Sequence, residues 1–236
     1  MQTCVVLCFG FLEGWRKNHL KKAVKVLHWA NEWRTSRAIE DATPASLKMK
    51  STANMNPAGR NITLIGMPGS GKSTLGRLLA SRLAHRFVDG DDLLRVKGRS
   101  LQEILNQEGE EAFLALETQE LQAIEGQKIV IAPGGSCVLS RAAMEHLRRI
   151  SLVVFLDVPL EVLRGRLKDA PMRGIVGFHG HSLEELNAMR RPLYRRYAHV
   201  TVPFPNKNLN AEEAFKVLMQ HLQSHMAPLS TADPSL

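Results

Sequence analysis

The chain has 236 residues, a hydrophobic share of 44% and a formal net charge of +8. That length accommodates one α/β domain with an appendage rather than two full domains. No apolar run reaches the roughly 18 residues that a membrane-spanning helix needs, so stable membrane insertion is not expected.

The excess positive charge is concentrated near the N-terminus, where the residues before Met55 contain nine Lys and Arg against four acidic residues. The rest of the chain is only mildly basic and lacks a basic stripe interleaved with aromatic residues, so we expect no nucleic-acid partner. Three cysteines without metal-ligand spacing or a disulfide framework suit a reducing compartment, and we expect a cytoplasmic protein.

A shift in composition divides the chain. All three tryptophans lie within the first 33 residues. We predict a basic N-terminal extension over residues 1–54, comprising an amphipathic helix and a linker, a catalytic domain over residues 55–227, and a disordered tail over residues 228–236. The extension could be a targeting segment, a docking segment or a translated stretch upstream of a native start at Met55.

Strands and helices alternate from residue 61 onward. The first strand is Asn61–Ile65, and a helix with an apolar face of Leu75, Leu78, Leu79 and Leu83 follows it. Further strands are predicted at Arg86–Val88, Lys128–Ala132, Leu152–Leu156 and His199–Val202. Further helices are predicted at Leu101–Glu125 with a break at Gly109, Ser140–Arg149, Leu160–Leu167, Leu183–Tyr197 and Ala211–His225. This alternation predicts an α/β fold with a parallel sheet covered on both faces.

A phosphate-binding loop follows the first strand. Residues 66–73, Gly-Met-Pro-Gly-Ser-Gly-Lys-Ser, match G-x-x-x-x-G-K-[ST] and lie between a strand and a helix, as the motif requires. Glycines let backbone N–H groups converge on a phosphate, and the helix N-terminus adds its dipole. Lys72 is expected to bridge the β- and γ-phosphates of ATP, and the Ser73 hydroxyl to join the Mg²⁺ shell. The predicted ATP-binding residues are Gly66, Met67, Pro68, Gly69, Ser70, Gly71, Lys72, Ser73 and Thr74.

An acidic turn follows the second strand. Asp89 and Asp91 stand two residues apart at the carboxyl end of a strand that we expect to lie beside the strand of the phosphate loop, where ligands gather in such sheets. One carboxylate could hold Mg²⁺ through water while the other orients an acceptor hydroxyl or takes its proton. The alternative is that these residues only cap the next helix.

Taken together, these and later motifs resemble the shikimate kinases over residues 61–202. The motifs are the phosphate loop, Phe87-Val-Asp-Gly-Asp91, Gly109-Glu-Glu-Ala-Phe113, Gly134-Gly135, Leu156-Asp-Val-Pro159 and Arg190-Arg-Pro-Leu-Tyr194. The resemblance implies a P-loop kinase fold with three α/β/α layers, a five-stranded parallel sheet and a mobile lid. It also implies ATP-dependent phosphorylation of shikimate to shikimate 3-phosphate. Separately from the resemblance, we expect a monomer.

The resemblance implies roles for particular residues. Asp89 would support Mg²⁺, and Asp91 would contact the acceptor hydroxyls. Gly134 and Gly135 would line the acceptor pocket. Arg190 would grip the acceptor carboxylate, although on its own it is typical of a solvated charge on a helix face.

The resemblance also places a lid over ATP between residues 167 and 181. Arg173 is the arginine in this stretch, and it is expected to stabilise the transferred phosphoryl group when the lid closes. Arg166, at the end of the preceding helix, is expected near the adenine.

Two departures from the family pattern affect the acceptor. Leu114 stands where the family has a second arginine of the carboxylate clamp, and Ser136 stands where a third glycine is typical. Neither change touches the ATP half. The alternatives are therefore a kinase of another polyol or hydroxy acid, similar to gluconate kinases, or a non-catalytic nucleotide-binding regulatory module.

Overall fold

The computed structural model describes residues 59–95, 101–168 and 181–226. Within these ranges five strands form one parallel sheet: β1 (Asn61–Ile65), β2 (Arg86–Asp89), β3 (Ile129–Ala132), β4 (Ser151–Asp157) and β5 (Val200–Pro203). Their order across the sheet is β2-β3-β1-β4-β5. The expectation that β2 lies beside the strand of the phosphate loop is wrong, because β3 pairs with both and separates them. The predicted α/β fold with a five-stranded parallel sheet is confirmed.

Seven α-helices are described between and after these strands: α1 (Lys72–Leu83), α2 (Gly90–Arg95), α3 (Leu101–Gln122), α4 (Arg141–Ile150), α5 (Leu160–Leu167), α6 (Leu183–Tyr197) and α7 (Ala211–Met226). A short 3₁₀ turn, Cys137–Leu139, precedes α4. Gly109 interrupts α3 with φ 84°, which is the break expected there. None of the described helices is both long and apolar enough to cross a bilayer.

The central strand β1 pairs along its whole length with β4, from Asn61 opposite Ser151 to Ile65 opposite Phe155. All five residues of β1 and all seven of β4 are buried. Helices cover both faces of the sheet, so the residues of these strands are mostly apolar. The buried polar residues among them have hydrogen-bond partners: Thr63 pairs with Ser151, and Asn61 accepts from the Ile129 N–H.

One detail of the predicted helix after the phosphate loop is wrong. Leu75 and Leu79 lie on the buried face of α1, but Leu78 is 39% exposed. Successive positions on a helix are turned by about 100°, so Leu78 and Leu79 cannot both face the sheet squarely.

The proposed boundaries at residues 54 and 227 and the proposed lid at residues 167–181 lie largely outside the described ranges. The amphipathic helix expected near the N-terminus lies outside them as well.

Candidate active site

The phosphate loop connects the last residue of β1, Ile65, to the first residue of α1, Lys72. Gly69 and Gly71 have φ values of 75° and 95°, which are left-handed conformations that residues with a Cβ seldom adopt. These two turns curl the backbone so that its N–H groups and the N-terminus of α1 face the same space. The loop therefore has the shape of an anion-binding cradle.

Lys72 is held inside this cradle. Its Nζ donates hydrogen bonds of 3.0 Å to the carbonyl oxygens of Gly66 and Met67. Burial lowers the pKa of Lys72, while the nearby acidic groups, among them Asp91, act to raise it. The loop thus holds the lysine by its own carbonyls, and an arriving polyphosphate would give the ammonium group anionic partners instead. Ser73 and Thr74 follow Lys72 in the first turn of α1.

Arg166, at the end of α5, reaches the same loop. Its NH1 donates to the Gly69 carbonyl at 3.1 Å, and its Nε donates to Asn208 Oδ1 at 3.0 Å. A Cβ added at Gly69 would come within 3.1 Å of the Leu167 side chain. The end of α5 therefore packs directly on the phosphate loop. Arg166 links this loop to the chain segment after β5.

The two predicted carboxylates lie at the end of β2. Asp89 is its last residue, and Asp91 is in the first turn of α2. The Asp91 backbone N–H donates to Asp89 Oδ1 at 3.3 Å, and Arg77 of α1 donates to Asp89 Oδ2 at the same distance. Arg77 also lies over the Phe87 ring, 4.8 Å from its centroid. The neighbouring helix α1 thus orients the Asp89 side chain.

On the other side of the cradle, Gly134 and Gly135 follow β3. The Tyr194 hydroxyl of α6 donates to the Gly135 carbonyl at 2.6 Å, and the Tyr194 ring stacks on Phe155 of β4 with centroids 5.1 Å apart. Burial raises the pKa of the Tyr194 phenol. These contacts fix the glycine turn against α6.

Arg190 lies one helical turn before Tyr194 and is only 2% exposed. It therefore does not sit on a solvated helix face. Charged Arg190 lies close enough to lower the pKa of Lys72, so α6 and the phosphate loop share one electrostatic environment. A buried guanidinium beside a cradle for phosphate is suited to hold a second anionic group.

The position of Leu114 is apolar. This half-buried side chain packs against a small cluster formed by Leu94, Ile104 and Phe113. Ser136, the other departure, is buried, and its hydroxyl donates to Glu117 Oε2 at 2.8 Å.

Glu117 is a member of this site that the sequence did not reveal. It is 4% exposed, and burial raises its pKa to about 7. The helix α3 carries several glutamates, and Glu117 is the one that lies one helical turn from both Phe113 and Leu121, which are buried. That spacing indicates the inward face of the helix, but the apposition of Glu117 to Gly134, which places it at the site, is not visible in the sequence.

The structure brings together the phosphate loop, Asp89, Asp91, the glycine turn and Arg190 at the carboxyl edge of the sheet, with Arg166 on the far side of the loop. Arg173 lies outside the described residues.

Comparison with known proteins agrees with this arrangement. The family model for shikimate kinase matches residues 68–223. A shikimate kinase of Microcystis aeruginosa is 46% identical over 140 residues, covering 58% of this chain and 73% of the relative. One from Symbiobacterium thermophilum is 37% identical over 169 residues, covering 69% and 96%.

Two solved structures of shikimate kinases are similar to this chain. Shikimate kinase from Acinetobacter baumannii in complex with shikimate superposes with a TM-score of 0.60 at 32% identity, covering 71% of this chain and 96% of that one. That of Bacteroides thetaiotaomicron has a TM-score of 0.60 at 28% identity, covering 70% and 99%.

Proposed function

The chain belongs to the shikimate kinase family of ATP-dependent phosphotransferases, and on that premise we propose that it phosphorylates shikimate to shikimate 3-phosphate. One observation carries the proposal. The Gly134–Gly135 turn on the acceptor side packs against the phosphate loop, since a Cβ added at Gly135 would lie 3.0 Å from the Pro68 Cδ. The groups expected to hold the donor and the acceptor therefore face a single space, as direct transfer between bound substrates requires.

In the proposed reaction, an acceptor oxygen forms a bond to the γ-phosphorus of ATP while the bond to the ADP oxygen breaks. The loop Gly66–Ser73 holds the phosphates, and Lys72 neutralises their charge. Asp91 orients the acceptor hydroxyl or takes its proton, and Arg190 binds the acceptor carboxylate. Arg173 closes over the transferred group, and Arg166 lies beside the adenine.

The site is also suited to Mg²⁺. The described residues include no group of three or more His, Cys, Asp or Glu side chains that could enclose a metal ion. Mg²⁺ needs none, because it binds through one or two protein oxygens together with substrate phosphates and water. We assign the Ser73 hydroxyl and the Asp89 carboxylate to this role, and the ion would neutralise charge on the β- and γ-phosphates.

We further propose that the enzyme is a cytoplasmic monomer and that residues 1–54 take no part in catalysis. Two other functions remain as outcomes of the test below. One is a kinase of another polyol or hydroxy acid, since Leu114 offers no charge to an acceptor carboxylate. The other is a regulatory module that binds ATP without transfer.

The test is acceptor-dependent ADP release from MgATP by the full chain, with shikimate, gluconate and a small panel of hydroxy acids. Turnover with shikimate is expected. Lys72→Ala should lower that turnover roughly a hundredfold or more, because the charge on the transferred group loses its fixed counter-charge. Lys216→Ala, which removes an exposed lysine on α7 paired with Glu212, is the matched control and should behave as wild type.

Activity with gluconate or a hydroxy acid but not with shikimate would establish the first alternative. ATP binding without turnover on any acceptor would favour the regulatory module.

A further inference from the structure

The acceptor side of the site contains a buried carboxylate that the reaction just described does not use. Glu117 of α3 is 4% exposed, and its Oε2 accepts a 2.8 Å hydrogen bond from the Ser136 hydroxyl. Its other oxygen, Oε1, faces Gly134 so closely that a Cβ added there would overlap it. Glu117 therefore packs directly against the glycine turn of the acceptor pocket.

The hydrogen-bond partner of Glu117 is neutral, and within the described part of the chain no cation lies within ion-pair distance of it. Charged and titratable groups on the surrounding elements face it from further away. These are Asp91 of α2, Arg190 and Tyr194 of α6, Lys72 of α1 and Cys137 of the 3₁₀ turn.

These surroundings favour the protonated acid near neutral pH. Burial raises the pKa of Glu117 to about 7, and Asp91 also acts to raise it, while the Ser136 hydroxyl, Arg190 and Lys72 act to lower it. At the pH of a cell, the proton on Glu117 is thus present in only part of the molecules.

An anionic acceptor changes this balance. Its carboxylate would bind Arg190, which is also one of the cations that stabilise ionised Glu117. Two negative charges would then compete for one buried guanidinium. Because like charges disfavour each other strongly where water is excluded, a bound carboxylate favours the protonated form of Glu117.

We propose that Glu117 is a positioning residue that couples acceptor binding to uptake of one proton, an inference that rests on the proposed function. Protonated, Glu117 holds Ser136 and the Gly134–Gly135 turn in place and leaves Arg190 to the acceptor carboxylate. Ionised, it draws on Arg190 and repels the acceptor. By linkage, the acceptor binds more tightly at low pH than at high pH.

The experiment measures KM for shikimate at saturating MgATP between pH 6 and pH 8.5. In the wild type KM should rise roughly sevenfold across this range, as expected for a group whose pKa near 7 is raised by about one unit on binding. In Glu117→Gln, which keeps the shape and a hydrogen-bond acceptor for Ser136, KM should stay flat. Glu125→Gln, which removes an exposed carboxylate just after α3, should reproduce the wild-type rise.

A second variant gives a directional test that does not depend on Glu117→Gln folding. Ser136→Ala removes the hydroxyl that stabilises the ionised carboxylate, so the pKa of Glu117 should increase. The midpoint of the KM rise should therefore move to higher pH. A midpoint that stays in place or moves down would contradict the assigned pairing.

Calorimetry supplies a readout that does not depend on turnover. Shikimate binding in two buffers of different ionisation enthalpy at pH 7.5 should reveal proton uptake in the wild type and none in Glu117→Gln. A pH-independent KM with normal turnover, or a rise that persists in Glu117→Gln, would overturn the inference and leave the proposed function standing. Absence of shikimate-dependent ADP release at every pH would contradict both.

Discussion

Two glycines differ in the space around them, so adding a Cβ should change the stability of the fold in opposite directions at the two positions. Gly90 begins α2, and a Cβ there would lie 2.8 Å from the Pro133 Cα and 3.0 Å from the Gly134 nitrogen. Both are backbone atoms, so they cannot rotate away. Gly165, inside α5, has nothing within 4 Å of an added Cβ.

Gly90→Ala should therefore destabilise the fold by about 1–3 kcal/mol, since the overlap must be relieved by moving backbone. It should also raise KM for the acceptor, because α2 carries Asp91 and the displaced turn carries Gly134. Gly165→Ala is the matched control, and it should stabilise by about 0.5–1 kcal/mol through a lower entropy of the unfolded chain. Urea unfolding of both variants provides the check. Equal effects of the same sign would show that local space does not decide the outcome.

The sequence identified some residues of the candidate site more readily than others. Lys72 was identifiable because a contiguous motif surrounds it and because the chemistry of phosphate binding demands that motif. Arg190 and Glu117 were different. Each is one charge among several on its helix, although each lies one helical turn from buried residues on both sides. Periodicity thus indicates the inward face, but it does not show that a charged residue on that face lies at a binding site, because this depends on elements elsewhere in the chain.

At the scale of elements, the position of α6 depends on a carboxylate at the end of β4. Asp157 is buried, and it accepts hydrogen bonds from Arg191 at 2.8 and 3.0 Å and from Arg195 at 3.1 Å. All three side chains lie where α6 crosses the carboxyl edge of the sheet. The same helix carries Arg190 and Tyr194 into the acceptor pocket.

Asp157→Asn should destabilise the protein by about 1–2 kcal/mol, because a buried acceptor of charged hydrogen bonds loses its charge while the arginines remain about half exposed. KM for shikimate should increase more than KM for ATP, since α6 contributes to the acceptor side. Glu145→Gln breaks the exposed pair with Arg141 on α4 and should change stability by less than about 0.5 kcal/mol. A larger effect on KM for ATP than for shikimate would contradict this account of α6.

The sequence predicted the elements better than their arrangement. The apolar runs of β3 and β4 and the strand before the phosphate loop stood out in the sequence. The strand before the loop has the predicted ends, and the ends of β3 and β4 differ from the prediction by at most one residue. The order β2-β3-β1-β4-β5 did not follow from the sequence. The central strands β1, β3 and β4 are buried on both faces, so their side chains do not indicate which neighbour each one pairs with.

At the scale of the whole molecule, a histidine just before β5 and a buried carboxylate on α3 give stability opposite dependences on pH. His199 precedes β5; its Nδ1 accepts a hydrogen bond from the Val153 N–H of β4 at 2.9 Å, so this nitrogen must be unprotonated. Burial, together with Arg148 and Arg60, lowers the pKa of His199 to about 4. Glu117 has its pKa raised to about 7.

The direction in which each contribution to stability changes with pH follows from the linkage between protonation and folding. A lowered pKa in the folded state means that the contribution of His199 is full above its unfolded pKa of 6.5 and is lost as the pH falls toward 4. A raised pKa means that the contribution of Glu117 is full below 4.5 and is lost as the pH rises through 7. Between pH 4.5 and pH 6.5 the two slopes oppose each other.

His199→Asn, which keeps an acceptor for the Val153 N–H but cannot be protonated, should separate these slopes. The wild type should lose about 1 kcal/mol relative to this variant as the pH falls from 6.5 to 4, a modest amount because the imidazole is partly open to water. The stability of the variant should then decline more steeply with rising pH between 4.5 and 6.5, since the loss from Glu117 is no longer offset. Urea unfolding at pH 4, 5, 6 and 7 measures both effects, and a constant difference between the two proteins would show that His199 is protonated equally in the folded and unfolded states.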